Sequence, residues 1–186
     1  MASATAPLAT DCLPTSVRAH PSVVFSSCFD SGNGELVSVD AQDGGAVSLD
    51  VKMTMDPYCE KDDARHGQWF HFCVRVPEGT KTKVRITNAG DASYTGGWTA
   101  DEGEVGYRVV YSEDRMSWRR VAKTTYDEGT GCLSFEHTPH TAACYYAYFA
   151  PYSYERYMEV SPSHRATTSR RTCKRSGRPK RRPPLS

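Results

Sequence analysis

The feature that most constrains this chain is a succession of short stretches in which apolar and polar residues strictly alternate. Val47, Leu49, Val51, Met53 and Met55 alternate with Ser48, Asp50, Lys52 and Thr54. A period of two places one set on the buried face of a β-strand and the other on its wet face. The same period runs through residues 68–76, where Phe70, Phe72, Val74 and Val76 share a face. After Pro77-Glu78-Gly79-Thr80 it resumes over residues 81–87 through Val84 and Ile86, so this pair of runs is predicted to form a hairpin. Further strand-like runs occupy residues 105–111, 118–123, 132–137 and 143–149, divided by segments rich in Gly, Asp, Ser and Thr. Nowhere do apolar residues recur at helical spacing over a dozen positions. Short strands without helices to make parallel crossovers predict an all-β fold, an antiparallel β-sandwich. Eleven Tyr, six Phe and three Trp fall mostly inside these runs, where they suit a pleated, half-buried surface.

At 186 residues the chain accommodates one domain with a real core rather than two enzyme domains. Residues 1–21 are rich in Ala, Ser, Thr and Pro without periodicity and read as a disordered leader; residues 22–158 carry the sandwich pattern. Residues 159–186 are predicted to be a disordered basic tail, because they hold too little apolar surface to offset the entropy of ordering. The formal net charge of +1 averages two opposed parts. Nine of the 23 Lys/Arg lie in residues 161–186 without an acidic residue, which leaves 14 basic against 22 acidic residues in the first 160. The longest apolar run, residues 142–150, is interrupted by tyrosines and falls short of the about 18 residues that a membrane-spanning helix needs. Seven cysteines at irregular spacing, with no CxxC pair and no secretory signal before them, read as reduced thiols of the cytoplasm.

Catalytic chemistry finds little support. The histidines His20, His66, His71, His137, His140 and His164 have no carboxylate three positions later, and His137 and His140 flank a proline at a strand end, where their rings do not converge on one metal. There is no GxSxG elbow. Cys73 and Cys144 sit inside predicted strands, where a buried inert thiol is the ordinary role. His71 alternates with Trp69 and Cys73 opposite Phe70 and Phe72, and a packed, hydrogen-bonded imidazole is the expected reading over an acid–base one. Tyr94 and Trp98 in the Gly-rich loop 88–106 offer a possible ligand platform, with Trp98 expected instead to cover the end of the core. Tyr145, Tyr146, Tyr148, Tyr152, Tyr154 and Tyr157 are too dense to be wholly buried in one small sandwich, so part of them is expected to face a partner. The tail motifs Arg170-Arg171, Lys174-Arg175 and Lys180-Arg181-Arg182 fit nuclear import or attachment to an acidic partner. No aromatic residue is interleaved for base stacking, so nucleic acid is not the expected partner.

The segments that organise the predicted sandwich also resemble a known family. Phe25-Ser26-Ser27-Cys28-Phe29-Asp30-Ser31-Gly32-Asn33 and His66-Gly67-Gln68-Trp69-Phe70-His71-Phe72 resemble blocks of the amino-terminal domain of the cytosolic carboxypeptidases, the tubulin-processing branch of the zinc carboxypeptidases. Tyr94, Gly97 and Tyr111-Ser112 fit the next block, and Trp118-Arg119-Arg120-Val121 the one after it. Leu133-Ser134-Phe135, His140 and Cys144-Tyr145-Tyr146-Ala147-Tyr148, leading to Pro151-Tyr152-Ser153-Tyr154, look like the family's exit from this domain. The blocks occur in order from Val23 to Met158.

The resemblance implies a β-sandwich that packs on a carboxypeptidase domain following it. In the family that second domain holds zinc through His-x-x-Glu and a later His, and removes C-terminal residues such as glutamate from tubulin and other proteins. No His-x-x-Glu exists in this sequence, so no catalytic, cofactor or metal residue carries over, and zinc is expected only in the catalytic domain, which is expected to be absent here. The implied function is a non-catalytic, truncated amino-terminal domain, inactive alone; the alternative is an independent binding module using its tyrosine-rich face or basic tail. Expected partners are the catalytic domain and an acidic protein such as tubulin, in the cytoplasm or, through the tail, the nucleus.

Overall fold

The computed structural model describes residues 16–41, 45–56, 67–99, 106–154 and 156–158. The leader up to residue 15, the tail from residue 159, and Cys12, Cys59 and Cys173 lie outside them. The chain divides into two compact units, Met1–Pro151 and Tyr152–Ser186.

The first unit is a sandwich of two sheets. Its strands are β1 (Ser16–His20), β2 (Val23–Ser26), β3 (Glu35–Ala41), β4 (Val47–Lys52), β5 (His71–Arg75), β6 (Thr82–Ile86), β7 (Val110–Ser112), β8 (Arg119–Arg120), β9 (Thr124–Asp127), β10 (Cys132–His137) and β11 (Ala143–Ala147). One sheet has the order β1-β2-β5-β11-β7-β8, the other β3-β4-β6-β10-β9. The alternation seen in the sequence is what faces the sheets toward each other. Phe25, Phe72, Val74, Cys144 and Tyr146 from the first meet Leu49, Val51, Val84, Ile86, Leu133 and Phe135 from the second, all buried. Each large side chain removed from water in this way contributes about 1.5–3 kcal/mol.

Three features depart from the sequence reading. The predicted hairpin of residues 68–76 with 81–87 does not form: β5 pairs with β2 and β11, whereas β6 pairs with β4 and β10 in the other sheet. The Pro77–Thr80 turn, with Gly79 left-handed at φ 72°, carries the chain between the sheets, a step that looks the same in sequence as a hairpin turn. The second sheet is mixed, because β4 and β6 run parallel, from Val47 opposite Thr82 to Val51 opposite Ile86. Strand β1 lies within the stretch expected to be leader. A tight turn at Pro21-Ser22 returns its backbone antiparallel to β2, a pairing that needs no side-chain periodicity. The runs at 105–111 and 118–123 shorten to β7 and β8, with backbone contacts such as Val121 N–H to Val109 O (2.9 Å) continuing between them.

In the second unit Tyr154 and residues 156–158 are helical, Arg156 lies over the Tyr152 ring at 5.8 Å, and Tyr152, Tyr154, Tyr157 and Met158 are exposed. Among the described residues no helix is long and apolar enough to cross a membrane.

Candidate functional site

The outward face of the six-stranded sheet carries the chemistry that the core does not need. Strand β5 is buried on both faces: Phe72 and Val74 point into the sandwich, while His71 and Cys73 point outward and are also covered. Two loops supply that cover.

The first is the connection from β2 to β3. Ser31 holds a left-handed backbone (φ 62°), which a non-glycine residue adopts only when its surroundings hold it there. A Cβ on Gly32 would collide with the Ser27 carbonyl, so this turn admits glycine alone. Asn33 then ties three segments together. Its Nδ2 donates to Thr54 O and Trp69 O, its Oδ1 accepts from Thr54 N–H, each at 2.9 Å, and its backbone exchanges two 2.8 Å hydrogen bonds with His71. Trp69 Nε1–H donates to Ser31 O at 2.7 Å, and Ser31 Oγ meets His71 Nδ1 at 3.1 Å.

The second is the turn from β7 to β8. The Asp114 carboxylate accepts from Met116 N–H (2.8 Å), Ser117 N–H (2.6 Å) and Ser112 Oγ (3.0 Å), bonds to its charged form that hold its pKa far below the usual carboxylate range. Arg115 follows, left-handed at φ 64°, with its guanidinium over the rings of Phe29 (5.8 Å) and Tyr145 (5.6 Å). Its carbonyl accepts from Trp118 Nε1–H at 3.3 Å.

His71 lies where the two loops meet. Phe29 (4.8 Å), Trp118 (5.5 Å) and Trp69 (5.9 Å) approach its ring edge-on. Its Nε2 is buried without a hydrogen-bond partner. Burial first, and the Arg115 charge second, push its pKa down to about 4, so the imidazole is neutral at physiological pH. The expectation of a packed histidine holds for Nδ1; the orphaned Nε2 goes beyond it.

The other singled-out residues divide among three roles. Phe70, Cys144 and Tyr146 are core, and Pro151 is buried. Tyr146 OH meets His137 Nδ1 at 3.1 Å, with Cys144 Sγ 3.8 Å from the same nitrogen. Burial pushes the Cys144 thiol up to about 12, and that of Cys73 up as well, which leaves neither poised as a nucleophile. Phe29, Gly32, Asn33, Trp69 and Trp118 build the outer cluster, while Gln68 pairs with the Tyr94 backbone through Oε1 (3.0 Å) and Nε2 (3.3 Å). Arg119, Arg120, Tyr152 and Tyr154 are exposed. Trp98 covers the end of the core as expected, its Nε1–H donating to Ala89 O at 3.0 Å. Tyr94 stays exposed, its ring lying along Gly96 and Gly97. Sequence reasoning missed Ser31, Arg115 and Tyr145 as members of the outer cluster. Of these only Tyr145 carried a signal, its period-two offset from Tyr146.

The model of the cytosolic carboxypeptidase N-terminal domain matches residues 25–149, which takes in both loops and every strand from β3 to β11. The chain belongs to this family. An uncharacterized protein of Zymomonas mobilis is 32% identical over 136 residues, covering 73% of this chain and 31% of that one. Solved metallo-carboxypeptidases of Burkholderia cenocepacia and Pseudomonas aeruginosa are similar at TM-scores of 0.61 and 0.58, each 30% identical over 76% of this chain and over 32% and 33% of theirs. The chain thus spans about a third of the length of the relatives it matches. Among the described residues no three His, Cys, Asp or Glu side chains group where they could hold an ion. The cytosolic carboxypeptidase N-terminal domain here is a scaffold of aromatic, amide and guanidinium contacts.

Proposed function

We propose that this chain acts as the non-catalytic amino-terminal domain of a zinc metallocarboxypeptidase, inactive alone and meant to work against the carboxypeptidase domain that holds the metal. The observation that carries the reading is the family match over residues 25–149 in a chain that accounts for only a third of the solved metallo-carboxypeptidases it resembles. The donor chemistry agrees, since the buried thiols are raised in pKa, His71 is enclosed by rings and His137 is committed to Tyr146. The activity served is removal of C-terminal residues such as glutamate from tubulin or other acidic proteins in the cytoplasm. The exposed tyrosines of residues 152–157 are surface for the companion domain.

The test is to measure zinc by elemental analysis and glutamate release from a Glu-ended peptide with the purified chain, alone and after adding a carboxypeptidase domain from one of the relatives. The expected result is less than stoichiometric zinc, no release by the chain alone, and a complex with the added domain. Turnover by the chain alone overturns the proposal.

A further inference from the structure

Beyond that reading, we propose that the free edge of the six-stranded sheet at β8 is a docking site for an extended acidic peptide, which would add as a strand beside Arg119 and Arg120. The edge is open: β8 pairs with β7 through Val110 opposite Arg120 and Tyr111 opposite Arg119, and among the described residues no strand lies on its other side. Residues 115–126 contain Arg115, Arg119, Arg120 and Lys123 and no acidic residue. This is a cationic run in a stretch of 160 residues where acidic outnumber basic residues by 22 to 14.

Arg119, Arg120 and Lys123 are exposed and Arg108 is half-buried, and none of the four has a carboxylate partner among the described residues. By contrast Arg85 and Lys81 on the other sheet are both paired, with Asp50 and Glu136 at 2.6 Å. Of the acids that bound this run, Asp114 caps its own turn, Asp127 Oδ1 accepts from Gly129 N–H at 2.9 Å, and Glu113 Oε1 accepts from His140 N–H at 2.7 Å. Arg120 is held in place, its Nη1 donating to Arg108 O at 2.7 Å.

Neighbouring residues of a strand face opposite sides of the sheet, so Arg119 and Arg120 flank the edge from both sides. An added strand gains main-chain hydrogen bonds from the edge, and its alternate side chains meet one guanidinium on each face. Guanidinium forks match carboxylates in geometry, which selects Glu- or Asp-rich segments. A nucleic acid fits less well, because the adjacent aromatic, Trp118, is half-buried against His71 with its Nε1–H bonded to Arg115 O and is not a free platform for base stacking.

The experiment titrates the full 15N-labelled chain with a ten-residue oligoglutamate peptide and follows backbone amide shifts, which separate this edge from the basic tail. The expected result is a set of shifts at residues 108–123, a dissociation constant weakened roughly five- to tenfold in the Arg119→Gln/Arg120→Gln variant, and loss of the shifts at high salt. The Arg119→Gln/Lys123→Gln variant, which keeps the Arg120–Arg108 hydrogen bond, is expected to weaken binding comparably, and each variant's spectrum reports whether it is folded. Shifts confined to residues 161–186, or an affinity unchanged by both variants, overturn the proposal. So does tighter binding at the same residues by a single-stranded oligonucleotide of equal charge, or an absence of shifts at the edge accompanied by self-association of the variants, which would make the arginines guards against strand pairing only.

Discussion

The two faces of the six-stranded sheet are built from the same strands and organised by different physics. The inward face is hydrocarbon and aromatic packing, in which Phe25 stacks on Phe72 at 5.4 Å, Phe135 packs tilted against Tyr146 at 5.1 Å, and the buried Tyr146 hydroxyl has a partner in His137. The outward face, one residue out of step on each strand, holds a neutral buried histidine with an orphaned nitrogen, a guanidinium over two rings and two left-handed non-glycine residues. The first face lowers the free energy of folding by removing apolar area from water. The second retains an orphaned buried nitrogen and two strained backbones that raise it, which is the pattern expected where a surface is shaped for more than its own stability.

The sharpest test of the division is a cavity in the inward face. Phe72→Ala removes a fully buried ring in contact with Phe25, Phe70 and Tyr146, and is expected to lower stability by about 3–5 kcal/mol in urea denaturation. A loss under 1 kcal/mol would mean that this face is not the centre of the fold.

Acid titration reads the outward face. His71 has its pKa lowered from 6.5 to about 4 in the folded protein, so below pH 6.5 the unfolded chain takes up the proton more readily. Stability contributed by the neutral imidazole is therefore present above pH 6.5, falls as pH drops through the window, and levels off below about pH 4, a change on the order of 3 kcal/mol. In His71→Phe the slope between pH 6.5 and 4 is expected to shrink to the part left by His137, whose pKa burial also lowers, while carboxylate effects at lower pH remain. An equal slope in wild type and variant would show that His71 titrates normally.

Next in size is the amide that joins the faces. Asn33→Ala deprives Thr54 N–H, Thr54 O and Trp69 O of their partners in a half-buried site, and is expected to cost about 2 kcal/mol. Hydrogen exchange is expected to accelerate near Thr54 and Trp69 and to leave the β6–β10 pair protected. Uniform loss of protection would mean that the loop and the core unfold as one unit.

How much of this was legible in the sequence follows from what each face depends on. Period-two runs such as Val47 to Met55 announce a buried face, and they gave the sandwich and its core. Which strands pair is a property of the turns and the other sheet: Pro77 to Thr80 reads as a hairpin turn because the sequence of a sheet-to-sheet crossing is no different. The parallel pairing of β4 with β6 likewise joins segments about 35 residues apart, beyond any local signal. In the outer cluster, Phe29, Trp69 and Trp118 were visible as motif residues, but their meeting at His71 depends on Ser31 and Arg115 taking left-handed conformations for which neither side chain has a preference.

Arg115 gives the smallest and most discriminating effect, because two terms of similar size oppose. A left-handed backbone at a non-glycine residue costs roughly 1 kcal/mol, which Arg115→Gly would recover. The guanidinium over Phe29 and Tyr145 contributes about 0.5–1 kcal/mol at a partly exposed site, which the same change would lose. The expected change in stability is within about 0.5 kcal/mol of zero. Arg115→Ala keeps the strain and loses the cation, so it is expected to fall below Arg115→Gly by roughly the backbone term. If instead the two variants are equally stable in thermal melts, the left-handed turn carries no strain, and the outward face loses one of the features that set it apart from the core.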